Sequence, residues 1–270
     1  MKCCVVVSAC RNPAALDWTL LGWRHQTRPP DELIVTEDDE NPAVAAVVAR
    51  HADAAGFPIH HLTQENQGFR KCLALNRALQ QTQADWVVFT DQDVLPRADV
   101  LKNSLQLARP SRFIAAGSHL NLPMAFYTSA MTEGMVETGQ IFDAAFLRAQ
   151  GIQLPASRLL PNGVLARWLD VLTARNAFVG NHTGAWRHDL LRVGGFDESL
   201  GYGGEDTNIG IRLNNAGVRG IRARHQLVML HLDHPRPYAQ REEVRANRAF
   251  NDSLRRTKTV LPRRSSLAPA

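Results

Sequence analysis

The sequence has no apolar run approaching the roughly 20 residues needed to cross a bilayer. Its longest, residues 43–49 (AVAAVVA) and 86–89 (WVVF), are the size of core segments. No membrane-spanning helix is expected. There are only four cysteines, at positions 3, 4, 10 and 72, and their spacing is not that of a zinc site. Adjacent Cys3 and Cys4 would point to opposite faces of a strand and so would not ligate one metal. All four are expected as reduced core residues. The body of the chain also lacks a charge excess. The net charge of +5 arises after residue 240, where eight basic residues meet three acidic ones, while the remainder holds 23 of each sign. A nucleic-acid partner would require a basic face on the folded body, and none is expected. The basicity instead marks a C-terminal helix and tail over residues 241–270, either solvated or in peripheral contact with an anionic membrane surface.

What is present describes an α/β protein. Hydrophobic residues make up 44% of the 270 and charged residues 21%, a composition suited to a soluble core-bearing domain. The opening MKCCVVVSAC reads as a first buried strand and not as a secretion leader, so the expected location is the cytoplasm. Short β-rich runs at residues 3–8, 32–37, 59–62, 86–91 and 113–116 alternate with helical patterns at 13–25, 69–81 and 98–108. That alternation predicts a mostly parallel central sheet flanked by helices. Residues 121–176 are weakly patterned, with helices at 143–150 and 165–175 and loop elsewhere, as expected of a functional insertion. A further helix begins near Glu205, where Ile209, Leu213 and Ala216 mark one buried face and Gly217 fits the position past its end. The last eight residues, RRSSLAPA, read as disordered.

Four places carry candidate chemistry. Residues 86–96, WVVFTDQDVLP, run an apolar strand into Asp91, Gln92 and Asp93. In extended chain the two carboxylates would face one side, at the strand end where parallel α/β sheets bind ligands. Such oxygen ligands suit Mg²⁺ or Mn²⁺. Glu37, Asp38 and Asp39 close the second strand and could accept hydrogen bonds from a base or ribose. Residues 194–213, GGFDESLGYGGEDTNIGIRL, place Glu205 and Asp206 beyond a glycine loop at a helix start. The helix dipole stabilises acids there, and a carboxylate there also suits a general base. His231 and His234 follow a strand-like run, and imidazole beside carboxylate suits Mn²⁺.

Taken in order, these motifs resemble the family 2 glycosyltransferases with the nucleotide-sugar-binding A-type fold. The second half is similar to the carboxy-terminal module of β-1,4-galactosyltransferases and chondroitin polymerases. The carrying segments are VVVSACRNP, ELIVTEDDE, ENQGFRKCLALNRAL, TDQD and GGFDESLGYGGED. The resemblance implies a catalytic domain over residues 1–240, with a nucleotide-binding half at 1–116, an insertion or acceptor lid at 117–176 and an acceptor half at 177–240. It implies donor contacts at Ala9 and Arg11, a uracil-binding acid at Glu37 and a basic group at Lys71. Asp91 and Gln92 would lie near the nucleotide, and Gly184 and Trp186 near the donor sugar. Asp93 would bind the metal with His231 or His234, which spacing does not separate. Asp206 would be the general base and Glu205 an orienting acid.

The implied partners are a UDP-sugar and a glycan or other hydroxyl acceptor, with Mn²⁺ or Mg²⁺ as cofactor. Departures from the family pattern are Thr207 in place of a further acid, Tyr202 in place of tryptophan, and Glu37-Asp38-Asp39 in place of Asp-Asp-Gly. They bear on the donor sugar more than on the reaction. Two other readings are a sugar-phosphate nucleotidyltransferase and a catalytically silent nucleotide-sugar-binding module. The first wants a glycine-rich basic loop after the first strand, where this chain has SACRNPAAL.

Overall fold

The apolar run near the N-terminus is strand β1 (Cys3–Ala9), buried on both faces. Cys3, Val5 and Val7 enter one hydrophobic cluster and Cys4 and Val6 another, as period-two alternation requires of a central strand. The computed structural model describes residues 1–116, 120–173, 178–235 and 241–267. After β1 come helix α1 (Pro13–Arg24), strand β2 (Glu32–Glu37), helix α2 (Pro42–Ala54), strand β3 (Ile59–Thr63), helix α3 (Lys71–Gln81) and strand β4 (Trp86–Asp91). The Asn12 side chain caps α1 by accepting from the Ala15 N–H at 3.2 Å, with proline in the first turn. Asn41 begins α2 in the same manner, accepting from the Ala43 N–H at 2.9 Å.

The chain continues through β5 (Val94–Pro96), α4 (Val100–Leu107), β6 (Arg112–Ala115) and β7 (Asn121–Leu122). An insertion then carries helices α5 (Met124–Ser129), α6 (Glu133–Glu137), α7 (Ala144–Ala149) and α8 (Val164–Thr173). It is followed by β8 (Thr183–Trp186), α9 (Arg187–Arg192), α10 (Glu205–Asn215), β9 (Arg219–Arg222), β10 (Met229–Leu232) and α11 (Arg241–Thr257). The main sheet has the order β3-β2-β1-β4-β8-β6-β9, and a small second sheet the order β5-β10-β7. The expected mostly parallel sheet is present, with β8 inserted antiparallel between β4 and β6. Helices α1, α2 and α4 cover one face, and α3, α9 and α10 the other. No helix among the described residues is long and apolar enough to cross a membrane.

Three sequence expectations change. Residues 121–173 are not mainly loop. Phe126, Tyr127, Ile141, Phe142 and Leu147 build a third core cluster with Ala15 and Leu21 of α1 and with Leu230 and Leu232 of β10. The ends of the expected lid, residues 117–119 and 174–176, lie outside the described residues, as does the end of the helix expected at 165–175. Next, Cys10 is exposed, unlike the other three cysteines, because β1 ends before it. Finally, the last residues are not disordered as far as residue 267. The Arg263 N–H donates to Asp197 Oδ2 at 2.8 Å, and Leu267 is 6% exposed within the second core cluster. The remainder of RRSSLAPA lies outside the described residues.

Gly184 marks the one position in the middle of β8 where a side chain would not fit. It pairs with Val88, and a Cβ there would stand 2.7 Å from the fully buried Trp86 indole. Gly184→Ala is therefore expected to lower the unfolding free energy by about 1–3 kcal/mol through overpacking. Urea denaturation checks this, and an unchanged midpoint would show that Trp86 is not the reason for the glycine.

Candidate active site

Strands β1 and β4 pair so that Ser8 lies opposite Asp91 at the carboxyl-terminal edge of the sheet. The Ser8 hydroxyl donates to Asp91 Oδ1 at 2.7 Å, and Lys71, the first residue of α3, donates to the same oxygen at 2.6 Å. Glu205 and Asp206 open α10 close enough to act on Lys71 electrostatically. Burial opposes the lysine's charge, but Asp91, Asp206 and Glu205 outweigh it and hold the ammonium well above its usual range.

The glycine loop sets the two acids of α10. Gly203 and Gly204 have φ of +91° and +96°, a region that disfavours other residues. Glu205 Oε2 accepts from the Gly203 N–H at 3.0 Å, and Asp206 Oδ2 from the Gly180 N–H at 2.8 Å. Asp206 Oδ1 is buried with no protein partner. A Cβ on Gly180 would come within 2.6 Å of both Asp206 oxygens, so this approach also needs glycine. Burial pushes the Glu205 carboxyl up to about 7, helped by Asp206 and opposed by Lys71. Burial also raises Asp206, with Lys71 pulling the other way.

A second cluster lies at the end of the small sheet. The Leu232 N–H donates to the Asp93 carbonyl at 2.8 Å, and the His231 N–H to the Leu120 carbonyl at 2.9 Å. This ladder brings Asp93 Oδ2 to 2.6 Å from His234 Nε2 and 3.4 Å from His231 Nε2. Ligand atoms of the three side chains lie within 4.8 Å of one another. Asp93 Oδ1 is buried and has no protein partner. Burial works against the Asp93 charge, but hydrogen bonds from both histidines outweigh it and hold the carboxyl below its usual range. One carboxylate, two imidazoles and an unsatisfied oxygen fit a divalent cation. The expectation that Asp91 and Asp93 face one side by strand alternation does not apply, because the chain turns at residues 92–93 and the two acids take different partners.

The other sequence-selected residues are placed as follows. Glu37 is fully buried, its oxygens engaged by His61 at 2.9 Å and the Asn41 N–H at 3.2 Å. Asp38 accepts from Gln64 at 2.7 Å and from the Arg70 N–H, and Asp39 pairs with Arg11. Arg11 has φ of 51°, and its guanidinium is largely exposed. Ala9 ends β1 opposite Glu37 and presents its carbonyl to the Asp38 N–H at 3.1 Å. Gln92 spends its amide on the turn after β1, accepting from the Cys10 N–H at 2.9 Å and donating to the Cys10 carbonyl at 2.7 Å.

Gly184 and Trp186 are not with this group. Trp186 pairs with Trp86 at the far edge of the sheet, where its indole N–H donates to the Arg109 carbonyl at 2.7 Å. The antiparallel run of β8 carries it away from the site, which its apolar sequence does not reveal. A cavity of about 840 Å³, lined in part by Arg97, Asp99 and Asn162, touches none of the clustered acids.

Sequence reasoning missed four contributors, two on a loop and two on a helix. Gly180 and Asn181 sit on the loop that meets Asp206, and the buried Asn181 amide has no protein partner. Asn247 and Asn251 of α11 hold the glycine loop from outside. Asn247 donates to the Gly203 carbonyl at 2.9 Å, and Asn251 to the Gly204 carbonyl at 2.8 Å. Asn251 also accepts from Asn208 at 3.0 Å, and Asn208 from buried Arg212 at 2.7 Å. The available signal was two asparagines four apart, with Leu254 completing one helix face.

Comparison with known proteins gives a family model described as glycosyl transferase family 2, matching residues 4–135. A second, described as the N-terminal domain of galactosyltransferase, matches residues 169–235. An uncharacterised glycosyltransferase, YfnE of Bacillus subtilis, is 24% identical over 278 residues, covering 93% of this chain and 69% of the relative. A mannosyltransferase from Pyrobaculum calidifontis, solved with GDP-Man and Mn²⁺, superposes with a TM-score of 0.62 at 21% identity, covering 99% of this chain and 66% of that one. GalNAc-T7, solved with UDP, GalNAc and Mn²⁺, has a TM-score of 0.62 at 11% identity, covering 94% and 48%. The chain thus spans about two thirds and about half of these two solved chains.

The raised Glu205 proton affinity has a sign that can be tested. Its carboxyl moves from 4.5 to about 7, so between those values the native state holds more protons than the unfolded state. This contribution to stability is therefore lost as pH rises through that window. Glu205→Gln, which does not titrate, should gain stability relative to wild type as pH rises across it in metal-free buffer. Parallel unfolding profiles for the two proteins would show that Glu205 does not titrate there.

Proposed function

The chain belongs to the family 2 glycosyltransferases, and from that premise we propose a metal-dependent, inverting transfer. The donor is a UDP-sugar carrying a hexose or N-acetylhexosamine, and the acceptor is a glycan or other hydroxyl compound. The observation that carries this reading is Asp206, a buried carboxylate with a free oxygen, set by a glycine loop beside Lys71 and Asp91. Its raised proton affinity suits it to take the proton of an attacking hydroxyl. As that proton leaves, a bond forms from the acceptor oxygen to the anomeric carbon, and the bond from that carbon to the diphosphate oxygen breaks on the opposite side. Displacement from one face inverts the configuration.

Glu205, one residue away and tied to the Gly203 N–H, orients the reacting groups. Lys71 offsets the negative charge that the donor brings beside Asp91. Asp93, His231 and His234 would hold Mn²⁺ or Mg²⁺, whose chemistry is to neutralise charge on the departing diphosphate. Arg11, exposed beside the ends of β1 and β2, is in reach of a nucleotide at this edge. Glu37 acts on the nucleotide through His61, because its own carboxylate is enclosed.

Two measurements test the reading. In a thermal-shift assay UDP should raise the melting temperature in the presence of Mn²⁺, and Asp93→Asn should remove the metal-dependent part. A shift with GDP in place of UDP would overturn the uridine assignment alone, and no shift with any nucleotide would overturn the donor site. Asp206→Asn should lower kcat by about 10²–10⁴ with KM little changed, as expected for loss of a general base. Turnover near wild type would remove Asp206 from that role.

A further inference from the structure

Helix α8 is built inside out. Ala166 and Asp170 face the protein and are buried. Val164, Leu165, Trp168, Val171 and Leu172 are 59–72% exposed. Their spacing of i, i+1, i+4, i+7 and i+8 makes one continuous stripe along the helix. Leaving two leucines, two valines and a tryptophan in water while burying an aspartate is unfavourable unless the aspartate is fully satisfied.

Asp170 is satisfied. Its Oδ1 meets the His225 N–H at 2.7 Å and His225 Nδ1 at 3.0 Å. Its Oδ2 accepts from the Gln226 N–H at 3.3 Å and from Gln226 Nε2 at 2.9 Å. Rotating α8 to hide its apolar stripe would break this set and expel a carboxylate from its partners. The outward apolar face is therefore fixed by the fold.

The charge carried by α8 and its neighbours in sequence is mainly basic. Between residues 144 and 178 the sequence has four arginines and a single acid, Asp170, which is buried in those hydrogen bonds. Arg167 is exposed on α8 itself, and exposed Arg222 reaches across to the Val171 carbonyl at 2.9 Å. Arg158 and Arg224 lie close enough to repel each other. β9, which ends at Arg222, runs parallel to β6, and both run in the same direction as β4. The helix thus stands at the carboxyl-terminal edge of the sheet, the edge that carries Asp91.

We propose that α8 docks this protein on an anionic lipid surface, with Trp168 and the leucines at the headgroup boundary and the arginines on lipid phosphates. A tryptophan-bearing apolar stripe flanked by exposed Arg167 and Arg222, on a helix whose own acid is buried, matches that interface in shape and in charge. The basic helix α11 presents no comparable stripe. Its inner face is spent on the glycine loop, and Val244 is its one exposed large apolar residue. The proposal rests on α8 and does not depend on the reaction proposed above.

Vesicle flotation of the intact chain tests it, with phosphatidylcholine alone and with phosphatidylcholine mixed with phosphatidylglycerol. Wild type should float with the anionic vesicles, less so at high salt. Trp168→Glu combined with Leu172→Glu should weaken binding at least about tenfold, equivalent to ~1.4 kcal/mol. In unmodified protein the tryptophan emission should shift to shorter wavelength on adding anionic vesicles, and Trp168→Phe should abolish the shift. That readout keeps the test valid if the charged variant folds poorly. Absence of flotation, or equal flotation by the folded charged variant, overturns the proposal. So does a wild-type dimer that the charged variant splits, since a second copy would then cover the stripe.

Discussion

One ammonium group has to offset the carboxylates gathered where β1, β4 and α10 meet. Lys71 donates to Asp91 at 2.6 Å and feels Asp206 and Glu205 as well. Acids in the first turn of an exposed helix would be stabilised by its dipole. Here they are buried, so burial raises the proton affinity of both, with repulsion from Asp206 adding to it at Glu205 and from Asp91 at both, and the lysine only partly reverses this. The outcome is a division of labour set by environment: a lysine held in its charged form, and two acids of raised proton affinity. The surrounding architecture serves that arrangement. Strand register brings Ser8 to Asp91, the start of α3 delivers Lys71, and Gly180 donates to Asp206 from the loop before β8.

The proposed metal cluster is separated from this charge cluster by a turn and a change of sheet. Asp93 belongs to the ladder of β5 and β10 and answers to two histidines instead of to Lys71. Gln92, between the acids, is the mechanical link. Its backbone N–H donates to the Ser8 carbonyl at 2.9 Å, its amide closes on Cys10, and its carbonyl accepts from Thr19 at 2.7 Å. Strand β1, helix α1 and the turn between the two clusters are thereby held in fixed relation, which a reaction spanning both would require.

The parts legible in the sequence are those where one strong local signal meets one dominant force. Strands buried on both faces read as uninterrupted apolar runs, so β1, β2 and β4 are found almost to the residue. Acids at strand ends and the glycine loop before Glu205 stand out because charged and conformationally special residues interrupt apolar segments there. Helix α2 escapes because its apolar residues are mainly small alanines, with only Val44, Val48 and His51 buried. Trp186 is misplaced because residue order does not give strand direction. In an antiparallel β8 the residue nearest the site is Thr183, and Trp186 is farthest from it. The burial of Asp170 and the exposure of Trp168 invert the usual rule and are visible only once His225 and Gln226 are in place.

The C-terminal segment shows how composition alone misleads. Its arginines suggest an appendage in solvent, yet the residues that matter to the fold are its neutral ones. A loop with positive φ at Gly203 and Gly204 leaves the Gly203 carbonyl outside any helix or strand ladder, while the Gly204 carbonyl takes the first helical bond of α10 from the Asn208 N–H at 2.9 Å and has room for a second donor. Asn247 and Asn251 supply the donors, and the chain from Asn251 through Asn208 to Arg212 carries the restraint to the Val193 and Gly195 carbonyls, each 2.6 Å from the guanidinium. Gly204 precedes Glu205 directly, so a loop free to relax would move both acids of α10. Helix α11 thus completes the hydrogen bonding of the segment that sets the proposed base, and Leu267 fills the core behind α10. Residues on both sides of position 240 therefore form one physical unit, whose positive surface charge follows from the face of α11 left over after the loop is held.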